Sequence, residues 1–116
     1  MAMKTSMRKE GENVIFSFEG RLDFETSDQL RESLTRLERQ AGSNRVIFDL
    51  GQLQFVGSSG ISAFVQALRE FNGRATTKPR YANVKNEFKK IISAFDESGT
   101  FEFWDNTERA LKSFDN

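Results

Sequence analysis

Two adjacent serines, Ser58 and Ser59, stand between Gly57 and Gly60, after one apolar run and before another. A serine at such a turn has three possible uses: as a nucleophile, as an acceptor of a phosphoryl group, or as the cap of a following helix. Nucleophilic use needs an activating base, and the chain contains neither His nor Cys. The G-x-S-x-G spacing of a nucleophile elbow is also not met around Gly57-Ser58-Ser59-Gly60-Ile61. Neither G-x-x-x-x-G-K-[ST] nor G-x-G-x-x-G occurs, so phosphate-cradling loops of the common kinds are absent. Without His or Cys most zinc and iron sites fall away too. No metal, cofactor or enzymatic activity is expected. The remaining uses of Ser58 and Ser59 are modification and capping, and Asp23, a second candidate, reads as a turn carboxylate ahead of a helix.

These residues must be held by regular elements, and the apolar spacing supplies them. Val14, Phe16 and Phe18 alternate with Ile15, Ser17 and Glu19, the period of a strand. Gly11 to Asn13 can turn that strand back on Lys4 to Arg8, giving an opening hairpin. Thr26-Ser27-Asp28-Gln29 has capping-box spacing, and Leu30, Leu34 and Leu37 then form one helical face up to Gly42. Val46-Ile47-Phe48 predicts a central strand buried on both faces and ending at Asp49 or Leu50. A loop then carries Phe55 and Val56, and a second helix starting at the serine pair uses Ile61, Phe64, Val65, Leu68 and Phe71.

Gly73 and the single proline, Pro79, predict a polar loop before a strand over 80–84. Val84, Phe88, Ile91, Ile92 and Phe95 mark a third helix stopping near Gly99, and 101–104 a last strand. Asn106 or Thr107 then caps a short helix with Ala110, Leu111 and Phe114 inside. The order is ββαβαβαβα: an α/β fold with a mixed, mostly parallel sheet packed by about four helices.

One domain over 1–116 is expected, since the length suits a single core and no repeat is present. With 37% hydrophobic and 29% charged residues the chain is globular in composition, and its 12 Phe supply most of the core bulk. Lys plus Arg balances Asp plus Glu at 17 each, so no net field draws the chain to nucleic acid or to an anionic membrane. Charge is still uneven: basic residues crowd 69–90, acids follow from 91 onward, and both read as solvated faces. No stretch approaches the roughly 18 apolar residues of a membrane span, and the N-terminus has no signal-peptide pattern. A cytoplasmic protein is expected.

The segment from Phe48 to Phe64, FDLGQLQFVGSSGISAF, resembles the signature of the STAS family (sulfate transporter and anti-sigma-factor antagonist). That signature has an apolar strand, Asp-Leu, a loop ending in an apolar pair, then Asp-Ser-Ser-Gly or Asp-Ser-Thr-Gly opening a helix. Gly20-Arg21-Leu22-Asp23 is similar to the family's Gly-x-Leu-Asp, Tyr81-Ala82-Asn83-Val84 to its fourth strand, and Asn106 to Leu111 to the start of its final helix.

The resemblance implies a regulatory protein-binding domain. In antagonist members the serine after the motif Asp is phosphorylated by an anti-sigma factor that is itself a GHKL-type serine kinase, and phosphorylation releases that partner from the complex. The matching position is Ser58, with Ser59 a cap or secondary acceptor. The resemblance further implies that Asp23 lies close to Ser58, and that Phe55, Val56, Gly57 and Gly60 belong to the partner-binding loop. Gly57 replaces the family's Asp, which removes a carboxylate and adds conformational freedom. The alternative within the family is an unphosphorylated subunit that binds a lipid-transport ATPase. A serine hydrolase, lacking a base, is the weakest reading.

Overall fold

The computed structural model describes residues 3–22, 26–42, 44–55, 57–75, 77–95 and 101–114, of which positions 27, 55, 57–60 and 95 by backbone alone. Strands β1 (Lys4–Glu10) and β2 (Asn13–Leu22) form the opening hairpin. Gly11 turns it at φ 63°, a left-handed conformation that a β-carbon disfavours. Helix α1 (Ser27–Ala41), β3 (Arg45–Phe55), α2 (Gly57–Arg74), β4 (Arg80–Ala82), α3 (Asn86–Phe95), β5 (Glu102–Trp104) and α4 (Thr107–Ser113) follow in the expected order. The five strands make one sheet in the order β1-β2-β3-β4-β5. β1 runs antiparallel to β2 at one edge, and all the other neighbours are parallel.

Alternation along the strands divides the core into two unequal parts. Val14, Phe16, Phe18, Val46, Phe48 and Leu53 face the apolar stripes of α1, α2 and α3, where Leu30, Leu34, Leu37, Phe64, Leu68, Phe71 and Ile92 are buried. Phe48 lies at the centre, with its ring centroid 5.2 Å from both Phe71 and Tyr81 and 5.8 Å from Phe18. Tyr81 enters this core with its hydroxyl satisfied, donating to Asn72 Oδ1 at 2.7 Å. On the opposite face, Ile15, Ile47 and Ala82 pack against Ala110 and Leu111 of α4 and against Phe114, which follows it.

At its C-terminus α4 is clamped by arginines that open two strands. Arg45 donates to the Phe114 carbonyl at 3.1 Å, and Arg80 donates to Ser113 Oγ at 3.1 Å. The Arg80 guanidinium also sits 4.5 Å from the Phe114 ring centroid and 3.0 Å from Glu102. Cations there complement the negative end of the helix dipole. At the other end the expected cap is made: Asn106 Oδ1 accepts from the Arg109 N–H at 2.8 Å. Asn106→Ala is expected to cost about 1 kcal/mol. It should lower the urea midpoint at an unchanged m-value, and a loss below about 0.3 kcal/mol would show that the arginine clamp and the apolar packing hold α4 without its cap.

Six local expectations are corrected. The capping box at 26–29 is not formed: Thr26 occupies the cap position without a side-chain cap hydrogen bond, and Gln29 Nε2 donates instead to the Met3 carbonyl at 2.7 Å. β3 does not end at Asp49 or Leu50 but continues to Phe55, because residues 52–55 pair in parallel with 19–22. α2 begins at Gly57, ahead of the serine pair, and Gly73 lies in its last turn rather than in a loop. β4 stops at Ala82, because Asn83 adopts φ 60°. β5 begins at Glu102, one residue later than expected. The expected end of α3 near Gly99 lies outside the described residues.

Arg74 and Glu38 join the C-terminal halves of α2 and α1 at 2.6 Å. Glu38 holds the Arg74 guanidinium even more firmly protonated than usual. The pair is exposed and so adds little to stability.

Candidate functional site

The residues singled out by sequence leave the sheet at its carboxyl end. β2 and β3 are neighbours, and their last paired residues are Leu22 and Phe55. Asp23 follows Leu22 in the chain, and Val56 follows Phe55; both lie outside the described residues. Phe55 is the final residue of β3 rather than part of a loop. Gly57, Ser58, Ser59 and Gly60 are the first four residues of α2, so neither serine precedes the helix as its cap would. Their backbone N–H groups are the ones a helix leaves without intrahelical acceptors, and the positive end of the dipole lies with them. Chemically this end tolerates an added anion on a first-turn serine.

What lies beneath is closely packed. Phe64 is fully buried, with its ring 5.8 Å from that of Phe18, while Val65 and Leu68 are buried beside it. Arg31 of α1 and Glu70 of α2 pair at 3.0 Å across the outer surface. Between them and the helix start, an open depression of about 500 Å³ is lined by Ser62, Val65, Gln66, Arg69 and Glu70. The strand order follows the chain order without reversal. The sheet therefore lacks the reversal point at which open α/β sheets form ligand crevices. Among the described residues no group of three metal-capable side chains occurs.

A feature next to this end was not anticipated. Ser17 pairs with Asp49, but Glu19 pairs with Gln52, so Leu50 and Gly51 together oppose Phe18. This is a β-bulge. The Asp49 carboxylate spans it: Oδ1 accepts from the Gly51 N–H at 3.0 Å and from Asn83 Nδ2 at 3.0 Å. Asn83 stands at φ 60° just beyond β4, and its N–H donates to the Trp104 carbonyl at 3.3 Å. A β-carbon on Gly51 would lie 3.2 Å from Asn83 Cβ and 3.3 Å from Asp49 Oδ1, so any side chain there would push these neighbours back by a few tenths of an ångström. The sequence signal was available in the alternation of Gln52-Leu53-Gln54-Phe55, which continues a strand one step out of phase with Val46 to Leu50.

The family model described as STAS domain matches residues 4–110. The chain belongs to the STAS family. An anti-sigma factor antagonist from Mycobacterium paratuberculosis has the same fold at a TM-score of 0.76 and 17% identity, over 98% of this chain and 95% of that one. An RsbS variant from Moorella thermoacetica superposes at 0.71 with 16% identity, covering 97% and 96% of the two chains. The Bacillus cell-fate determinant SpoIIAA, in its phosphorylated form, superposes at 0.64 with 18% identity, covering 96% and 99%. No curated protein matches the chain.

The STAS match runs across both strand ends and through α2, so it includes Asp23 and residues 55–60. No helix of the described residues is long and apolar enough to cross a membrane.

Proposed function

We propose that this STAS domain is an anti-sigma factor antagonist, a non-enzymatic cytoplasmic regulator of transcription whose binding to a GHKL-type serine kinase is switched by phosphorylation of Ser58. The observation that carries the reading is the parallel pairing of Leu22 with Phe55, after which the chain leads within three residues to Asp23 and to Ser58. Support comes also from the position of Ser58 in the first turn of α2, where orphan N–H groups and the dipole accommodate a phosphate. The solved structures it resembles include anti-sigma factor antagonists. Asp23 and residues 55–60 form the contact surface in this reading, with Ser59 as a secondary acceptor. The test is incubation with a GHKL-type serine kinase and ATP, followed by binding measurements before and after phosphorylation.

Phosphate is expected on Ser58. Trypsin cuts after Arg45 and Arg69 and releases the intervening peptide whole, so fragment ions must separate Ser58 from Ser59 and Ser62. Phosphate confined to Ser62 would overturn the assignment. Asp23→Ala is expected to lower phosphorylation or partner binding while moving the melting temperature by less than about 4 °C, as a turn carboxylate contributes little to stability. A larger shift would identify Asp23 as a structural cap.

A second reading is favoured by Gly57, which stands where the family pattern has Asp. In it the domain is a constant, unphosphorylated subunit of a lipid-transport ATPase. Recovery of such an ATPase in a pull-down, with no phosphate on Ser58 in cells, would select it over the switch.

A further inference from the structure

We propose that Asp49, acting with Gly51 and Asn83, is a positioning residue for the Ser58 switch: its carboxylate fixes the β-bulge that sets how β3 delivers the chain to the first turn of α2. The inference deepens the switch reading and rests on it for its functional consequence, but its structural part can be tested separately.

The phase of β3 decides which of its side chains reach the core. Val46, Phe48 and Leu50 are buried toward the α1–α3 face. Strict alternation from Leu50 would place Gln52 and Gln54 on that face and turn Leu53 to solvent. The extra residue at Leu50-Gly51 reverses the phase, so Leu53 is fully buried while Gln52 and Gln54 are exposed. A bulge also bends its strand and increases the local twist, so the heading of residues 52–55, and of the helix that follows, depends on it.

Only Asp49 holds the bulge from both sides among the hydrogen bonds described. One acceptor oxygen takes the N–H of Gly51 within the bulge and the amide of Asn83 on the neighbouring strand end. Asn83 reaches it from a left-handed conformation that Asn tolerates better than most residues. Gly51 leaves room for both. The three residues are thus interdependent, and they come from segments 34 positions apart in the chain.

Amide hydrogen exchange on the full chain tests this. Asp49→Ala removes the acceptor of both bonds, and exchange at residues 52–55 and at 61–64, the first hydrogen-bonded amides of α2, is expected to rise at least about tenfold. The amides of β1 and α4 should keep their wild-type protection. Asp49→Asn keeps an acceptor oxygen at the same position and should restore protection. If Asp49→Ala folds poorly, Asn83→Gly provides the second arm: it keeps the positive φ, removes one donor, and should raise exchange over the same residues by a smaller factor. The initial rate of Ser58 phosphorylation by a GHKL-type serine kinase should fall in Asp49→Ala and recover in Asp49→Asn. Unchanged exchange at 52–55 and 61–64, or a rise spread evenly over the whole chain, overturns the positioning role. A wild-type chain that such kinases neither bind nor phosphorylate overturns the switch instead and leaves the exchange result standing.

Discussion

Ser58→Asp is expected to weaken binding to the proposed kinase partner on the order of a hundredfold, while leaving the stability of the free domain nearly unchanged. The asymmetry follows from where the charge is placed. At the first turn of α2 an anion meets orphan N–H groups and the positive end of the helix dipole, and in the free protein it keeps its water. In a complex that covers this end of the sheet the same anion loses its water, with the carboxylate of Asp23 expected nearby. An unpaired buried charge costs several kcal/mol, and each 1.4 kcal/mol is tenfold in affinity. Phosphate, at about −1.5 to −2 charges, should act more strongly than aspartate. Ser58→Ala should bind like the wild type and resist release by ATP. Equal affinities for all three proteins, measured by calorimetry at one ionic strength, would remove Ser58 from the mechanism and leave the constitutive-subunit reading.

The largest expected loss of stability belongs to Phe48→Ala, at roughly 3–5 kcal/mol. Phe48 is fully buried, and its ring meets Phe16, Phe18, Phe71 and Tyr81 edge-on or stacked. Truncation removes the anchor shared by β2, β4 and α2 and leaves a cavity that surrounding rings cannot fill without leaving their rotamers. Set against a total of about 5–15 kcal/mol, such a loss leaves a marginal fold. Phe48→Leu keeps most of the apolar volume and should lose less than half as much. Urea denaturation of both variants provides the check, and a loss under about 1 kcal/mol for the alanine variant would mean that the ring cluster is not the keystone its geometry describes.

Elements with local signals were legible before any coordinates. The hairpin follows from alternation at Val14 to Phe18, α1 from its leucine spacing and Gly42, and α4 from Asn106. What escaped depends on partners far along the chain. Gln29 fits a capping box by spacing, yet it bonds to the Met3 carbonyl, 26 residues away. The second half of β3 was hidden because Gly51 breaks the phase of the alternation, and only pairing with residues 19–22 shows that the strand continues. Asp49 reads in sequence only as a strand end and as part of the family pattern, since nothing there says that Asn83 will reach it. Phe55 was legible as an apolar anchor but not as a strand residue, for the same reason.

The arginine clamp on α4 also has a practical bearing on how such measurements are set up. Arg45 and Arg80 open β3 and β4, so Phe114 is pinned at the amino ends of the parallel strands, opposite the end from which Ser58 emerges. The start of β1 lies the other way, with Lys4 paired to Glu19 near the carboxyl end of β2 and Met3 buried against α1. A fluorophore, affinity handle or fused protein appended after Phe114 would therefore project away from the serines, whereas one placed ahead of Lys4 would crowd them. Immobilising the domain through its C-terminal side leaves the proposed kinase partner an unobstructed approach to the serines.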